Sequence, residues 1–335
     1  MTTAHHTVAD AWSPRARRLR LAMAFASVYL FWGGTFLAIR YAVAEVPPLL
    51  TIAIRCAGGA ALLYAWLWWR GAPLRATRRE WRTAAIGGAL LFLGCHALLA
   101  RAEQRVSSGQ AALVRTAIPI WMVLLEAARA RRRPTLRAVG ALALGTAGVA
   151  VLTLGAAWSG RAVDAGLLLL GALAWAAGSL IVREGARPAG PALATAMQLA
   201  AGAVCVLAAA VAAGEPGTWQ PAALTLRGAS SLAFLVVCGT VLGFGAYSWL
   251  LRATSPLAAS SYAFVNPVVA LLLGWAVSDD VVSARTVVAT VLVVGAVALT
   301  RSRPRRADDR VDDHTPGRRT ASGGAVPTLA GTTRA

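Results

Sequence analysis

The segment FWGGTFLAIR at residues 31–40 returns as AWAAGSLIVR at residues 174–183, with a tryptophan eight residues ahead of an arginine in both copies. Trp32 and Trp175 are thus 143 residues apart. A second echo, SGQAALVRTAIPIWMVLLE at 108–126 against PLAASSYAFVNPVVALLLG at 256–274, sets Pro119 opposite Pro267 at a spacing of 148. Self-similarity at so long a period means two fused copies of one multi-helix unit, a construction common among secondary transporters.

Composition names the solvent. With 57% hydrophobic residues, 14% charged residues and a mean hydropathy of +0.60, the chain is too poor in charge for a soluble domain, where the charged share is about 25%. Ten apolar runs can be marked, near 22–43, 48–69, 82–100, 107–127, 136–155, 164–182, 191–213, 229–250, 256–277 and 284–300. Each is close to the roughly 20 residues that cross hydrocarbon as a helix, whereas barrel strands alternate over about 10. The expected fold is an all-α polytopic membrane protein of ten spans in two five-helix repeats.

The net charge of +19 suggests nucleic acid until the arginines are placed. In this topology 25 of them fall on one side of the membrane and five, Arg101, Arg105, Arg161, Arg227 and Arg285, on the other. This bias puts both termini in the cytoplasm, as an even number of spans requires, and makes lipid the partner of the charge rather than nucleic acid. Five spans per copy is an odd number, so the second copy lies inverted relative to the first. Inverted repeats offer two packings around a midplane site, the basis of alternating access. The expected organisation is a basic cytoplasmic segment (1–21), repeats at 22–155 and 164–300, and a disordered cytoplasmic tail (301–335) too polar to bury a core. The first span outruns the h-region of a signal peptide, about 7–15 residues, so no cleavage is expected.

Nothing here supports an enzyme. Cys56, Cys95, Cys205 and Cys238 all lie within spans and show no zinc spacing, and the chain lacks HExxH, GxSxG and P-loop patterns. No cofactor or metal is expected.

Charged and polar residues inside spans are the pointers to a pathway. Arg115 is the sharpest. It falls near the middle of span 4 on one face with Pro119, Met122 and Glu126, where it either holds a substrate carboxylate or phosphate or ties helices together. Arg55 in span 2 is helix glue or an outer binding charge, and Arg40 snorkels outward. His96 and Glu126 are the candidates for proton coupling; each also has a plain structural reading, a hydrogen-bonded neutral ring for His96 and a pair with Arg129 for Glu126. Tyr262 and Asn266 share a face of span 9, and Asn266 precedes Pro267. A proline removes a donor and clashes one turn back, so bends are expected at Pro119 and Pro267, and paired bends mark a binding site. Trp32 and Trp175 either wall the cavity or pack beside glycines. Trp66, Trp68 and Trp69 read as an interfacial belt.

The pieces FWGGTFLAIR, PPLLTIAIR, AEQRVSSGQAALVRTAIP, GALAWAAGSL and SPLAASSYAFVNPVVALLLG, in this order over residues 22–300, resemble the EamA-type permeases of the drug/metabolite transporter superfamily, in particular their YedA-like branch. The resemblance implies a ten-helix bacterial inner-membrane carrier of small metabolites or drugs, with a central cavity lined mainly by spans 1, 3, 4, 6, 8 and 9. Where that pattern is apolar this chain has Arg115, and where members often carry glutamates it has Asp280 and Arg132. The expected function is gradient-driven transport of a small anionic or zwitterionic molecule, an exporter being one option. Export of hydrophobic drugs or pigments and a non-transporting scaffold or sensor are the alternatives. A homodimer is left open.

Overall fold

A computed structural model describes residues 13–103, 105–106, 111, 114–153, 161–277 and 284–300. The expectations for residues 1–12, the Arg40 side chain, Asp280 and the 301–335 tail lie outside the described residues. Those described are helical, without a strand among them. Helix α1 spans Pro14–Val43, α2 Pro48–Trp69, α3 Arg78–Ala102, α4 Ala117–Ala130, α5 Leu136–Thr153, α6 Ala162–Glu184, α7 Pro191–Ala212, α8 Leu226–Ala253, α9 Tyr262–Val277 and α10 Ala284–Thr300. Six, α1, α2, α3, α6, α7 and α8, are long and apolar enough to cross a membrane, and Leu136–Val151 and Val287–Thr300 are shorter apolar helices.

Local signals start these helices. Pro48 and Pro191 each open one at its first position, where no N–H is needed. Thr77 caps α3 in a capping box with Glu80, and Thr225 caps α8 through the Gly228 N–H. Large apolar side chains remain outside, Val204 at 70% and Val291 at 66% exposed, as a bilayer solvent allows. Trp66, Trp68 and Trp69 stand exposed at the end of α2.

Packing runs between the halves. Helix α2 lies along α7 and α5 along α10; α1 meets α8 and α9, while α6 meets α3 and α4. Small residues allow these approaches. A Cβ on Gly88 would sit 2.5 Å from the Gln198 carbonyl oxygen, and one on Gly243 2.6 Å from Trp32 Nε1. Helices α3 and α6 pass antiparallel, with Gly87 against Val182, Gly94 against Ala174 and Gly171 against Cys95.

Two carboxylates tie the connections at the end of the bundle where α1 finishes. Glu215 accepts from the Leu49 and Leu50 N–H groups at the start of α2, at 3.3 and 2.8 Å. Glu45 accepts from the Thr225 hydroxyl and N–H, both at 2.7 Å. The Thr225 hydroxyl, then its N–H, with Arg227 adding a weaker attraction, hold the Glu45 carboxyl below its ordinary 4.5. A depressed folded-state value means a stabilisation present above the unfolded value and lost as pH falls through the folded one. The melting-temperature gap between the wild type and Glu45→Gln is therefore expected to be full at neutral pH and to close on acidification; a gap that widens in acid would contradict this.

Candidate functional site

The two halves share an irregularity that proved central. Within α3, residues Ala89–Ala97 form a π-helix, and within α8, Leu235–Phe244 do the same. Such widened turns are rare and cluster at functional sites. In each, a side chain bonds the carbonyl five residues back: the His96 Nδ1–H donates to Leu91 O at 2.8 Å, and the Thr240 hydroxyl donates to Leu235 O at 2.8 Å. With its proton committed there, Thr240 Oγ1 accepts from Arg55 Nε at 3.0 Å. The second half thereby orients a guanidinium of the first. Arg55 is only 6% exposed, yet no carboxylate among the described residues pairs with it.

Arg55 and His96 line a cavity of about 370 Å³ together with Thr51 and a wall of Ile39, Val43, Pro48, Ile52, Leu99 and Ala100. The cavity reaches the end of the bundle at Val43, which is 37% exposed, and Pro48. Arg115 is not in its wall. It is near enough for its charge to act on both Arg55 and His96. The buried Tyr262 hydroxyl has no hydrogen-bond partner among the described residues.

The segment expected as span 4 is not one continuous helix. Val114 and Arg115 are helical, Thr116 is a turn and helix α4 begins at Ala117, so Arg115 sits just before an interruption rather than mid-helix. Pro119 is buried in the first turn of α4; it has no N–H for the Arg115 carbonyl, which is where the ladder stops. The segment expected as span 9 is likewise interrupted, at Ser260–Ser261 between a single turn Pro256–Ala259 and α9. That break falls ahead of Pro267, which the helix carries within it. Asn266 is buried, and its Oδ1 has no partner among the described residues.

Beneath the cavity an aromatic cluster spans both halves. Trp32 meets Trp175 at 5.7 Å, Tyr247 at 5.1 Å and Tyr262 at 4.6 Å between ring centroids. Trp32 Nε1 donates to Gly239 O and Trp175 Nε1 to the Tyr247 hydroxyl. His96 contacts Trp175 edge to face at 5.4 Å, joining cavity wall to cluster. Trp32, Trp175 and Tyr262 themselves do not line the cavity.

Glu126 lies elsewhere, at the end of the bundle opposite the cavity. It pairs with Arg183 at 3.3 Å, and Arg183 also donates to Thr254 O. The expected pair with Arg129 does not form, because Arg129 binds Glu184 across the same helix contact. Contacts between α4 and α6 thus replace one within a helix. Sequence reasoning missed both π-helices, Thr240 and Tyr247. One weak signal exists: Cys95 and Cys238, 143 residues apart, fall at matching places in the two π segments.

The arrangement has counterparts among known proteins. The profile of the EamA-like transporter family matches twice, at residues 20–154 and 165–302. The chain is 34% identical over 273 residues to the inner membrane transporter YedA of Escherichia coli strain K12, covering 82% of this chain and 88% of YedA. It is 27% identical to protein PecM of Dickeya dadantii over 80% of this chain and 88% of that one. A chloroplastic WAT1-related protein of Arabidopsis thaliana is 24% identical, over 82% of this chain and 67% of its own length. A solved crystal structure superposes with a TM-score of 0.67 at 22% identity, over 86% of this chain and 96% of that chain, which shows a shared fold. With a cavity suited to binding, apolar helices that make a multi-pass membrane protein, and relatives that are transporters rather than enzymes, this chain belongs to the EamA-like transporter family.

Proposed function

We propose that this protein is a secondary carrier of the bacterial inner membrane that moves a small carboxylate-bearing metabolite, a free acid or an amino acid, by alternating access. The observation that carries the reading is Arg55, a desolvated guanidinium on a cavity wall, held by Thr240 of the other half and lacking any carboxylate among the described residues. Buried charges are ordinarily paired, so an unpaired one on a cavity wall is a place for a ligand's charge.

Ten spans in two inverted repeats, 22–155 and 164–300, fit the helix pairing. Exchanging each helix of the first five for its counterpart five later turns α1–α8 into α6–α3, and α1–α9 into α6–α4, and returns α2–α7 and α5–α10 to themselves. The double family match and the twin π segments support the same reading. In it, the basic segments 1–21 and 301–335 are cytoplasmic, and the cavity faces outward. The Arg183–Glu126 and Arg129–Glu184 pairs then close the inner end. These pairs are partly exposed, and such pairs contribute only about 0–1 kcal/mol each, weak enough to exchange during a transport cycle. Arg115, Tyr262 and Asn266 form the deeper part of the path, and Pro119 and the 260–261 break let α4 and α9 rearrange. Substrate-dependent flux in sealed proteoliposomes separates this carrier from a scaffold.

A further inference from the structure

We infer that the ligand of the Arg55 cavity is a monocarboxylate with an apolar body and no ammonium group. This rests on the carrier reading of the same site and narrows it to one substrate class.

Among the described residues the wall carries one cation, Arg55, two neutral or basic hydrogen-bonding side chains, Thr51 and His96, and otherwise apolar groups. One guanidinium, whose Nε is already spent on Thr240, leaves its two terminal nitrogens for a single carboxylate, a geometry suited to a bidentate pair. The rest of the wall, Ile39, Val43, Pro48, Ile52, Leu99 and Ala100, offers nothing polar from a side chain and matches a hydrocarbon or aromatic body.

Charge decides between a free acid and an amino acid. An α-ammonium needs an acid or a ring of carbonyls beside the carboxylate's cation, and no acid among the described residues lines this cavity. Each described carboxylate side chain is already engaged elsewhere. Glu45 is held by Thr225, Glu80 by Thr77, Glu126 by Arg183, Asp164 by Arg105, Glu184 by Arg129, and Glu215 by the start of α2. Arg115 adds a second positive charge acting on Arg55 and His96. Two guanidiniums with no counter-charge among the described residues repel an ammonium while attracting a carboxylate, and the repulsion is strong where water is scarce. A second carboxylate on the ligand would have to be buried against the apolar wall.

The test uses the full chain in lipid nanodiscs and four probes: 3-phenylpropionate, phenylalanine, phenethylamine and succinate. Affinity is read from the rise in melting temperature over a concentration series. The expected result is that 3-phenylpropionate binds at least ~10-fold more tightly than phenylalanine or succinate, that phenethylamine gives no shift, and that Arg55→Gln removes the difference between the acid and the amine. The ranking on the wild type alone carries the test should that variant fold poorly. Phenylalanine binding as tightly as 3-phenylpropionate overturns the inference and leaves the carboxylate carrier standing. Preference for succinate does the same in favour of a dicarboxylate. Preference for phenethylamine, or no shift with any probe, overturns the inference; the carrier reading then falls only if a mixed pool of organic acids also shows no protein-dependent flux.

Discussion

Arg55→Ala is expected to weaken substrate binding roughly 30-fold to 3,000-fold. Truncating one partner of a buried, hydrogen-bonded charge pair costs about 2–5 kcal/mol, and each 1.4 kcal/mol is a factor of ten. The loss should appear as a matching fall in transport at low substrate, with the protein still reaching the membrane. A second variant gives the effect an unusual sign. Among the described residues only Thr240 bonds the desolvated Arg55, so Arg55→Leu removes a buried charge that no described carboxylate offsets. Its ligand-free melting temperature is expected to rise above wild type while binding disappears. A residue that served as helix glue would behave oppositely, since its removal would lower stability. A lowered melting temperature in Arg55→Leu with unchanged transport would place Arg55 outside the site.

Gly88→Val is expected to have the largest effect on folding. A Cβ at this position would lie 2.5 Å from the Gln198 carbonyl oxygen and 2.9 Å from the Gly202 nitrogen. Both are backbone atoms of α7, so no rotamer change relieves the contact and α3 must be pushed away from α7. Overpacking usually costs about 1–3 kcal/mol and more where the neighbour cannot yield, and small residues are what let helices in a bilayer approach this closely. The π segment that begins one residue later should shift with α3, so His96 moves and the cavity deforms. Gly245→Ala is the control. Its added Cβ meets nothing within 4 Å, and alanine is favoured over glycine in a helix by about 1 kcal/mol. The two variants should therefore move the melting temperature of the purified protein in opposite directions, and equal effects would contradict the packing argument.

The helical character and most helix starts were legible from composition and from the 143-residue echo, because a bilayer demands long apolar helices and leaves few alternatives. Trp32 and Trp175 were legible as a pair and Tyr262 beside Asn266, but not their meeting in one body with Tyr247. The reading of charge was less direct. Periodicity alone puts Arg115 mid-span, ahead of Arg55, whereas the structure has a turn at Thr116 and no Arg115 in the wall of the Arg55 cavity. Arg55 faces the cavity through its bond to Thr240, a residue 185 positions away in a π segment of the other half. A π turn has no composition or spacing of its own in a single chain, so neither Thr240 nor the role of His96 could be read from periodicity. Glu126 shows the same limit. Pairing it with Arg129 follows helix spacing, whereas its partner Arg183 is supplied by another helix.

Counterflow tests the central claim most directly. Sealed proteoliposomes are loaded with unlabelled 3-phenylpropionate or, in a parallel series, with a mixed pool of organic acids, diluted, and given the labelled compound outside. A carrier that exposes one site alternately to each side predicts a transient accumulation of label above its equilibrium level, dependent on preloading and absent with Arg55→Ala. Label that enters at the same rate with and without preloading, or not at all in either series, would contradict alternating access through this cavity.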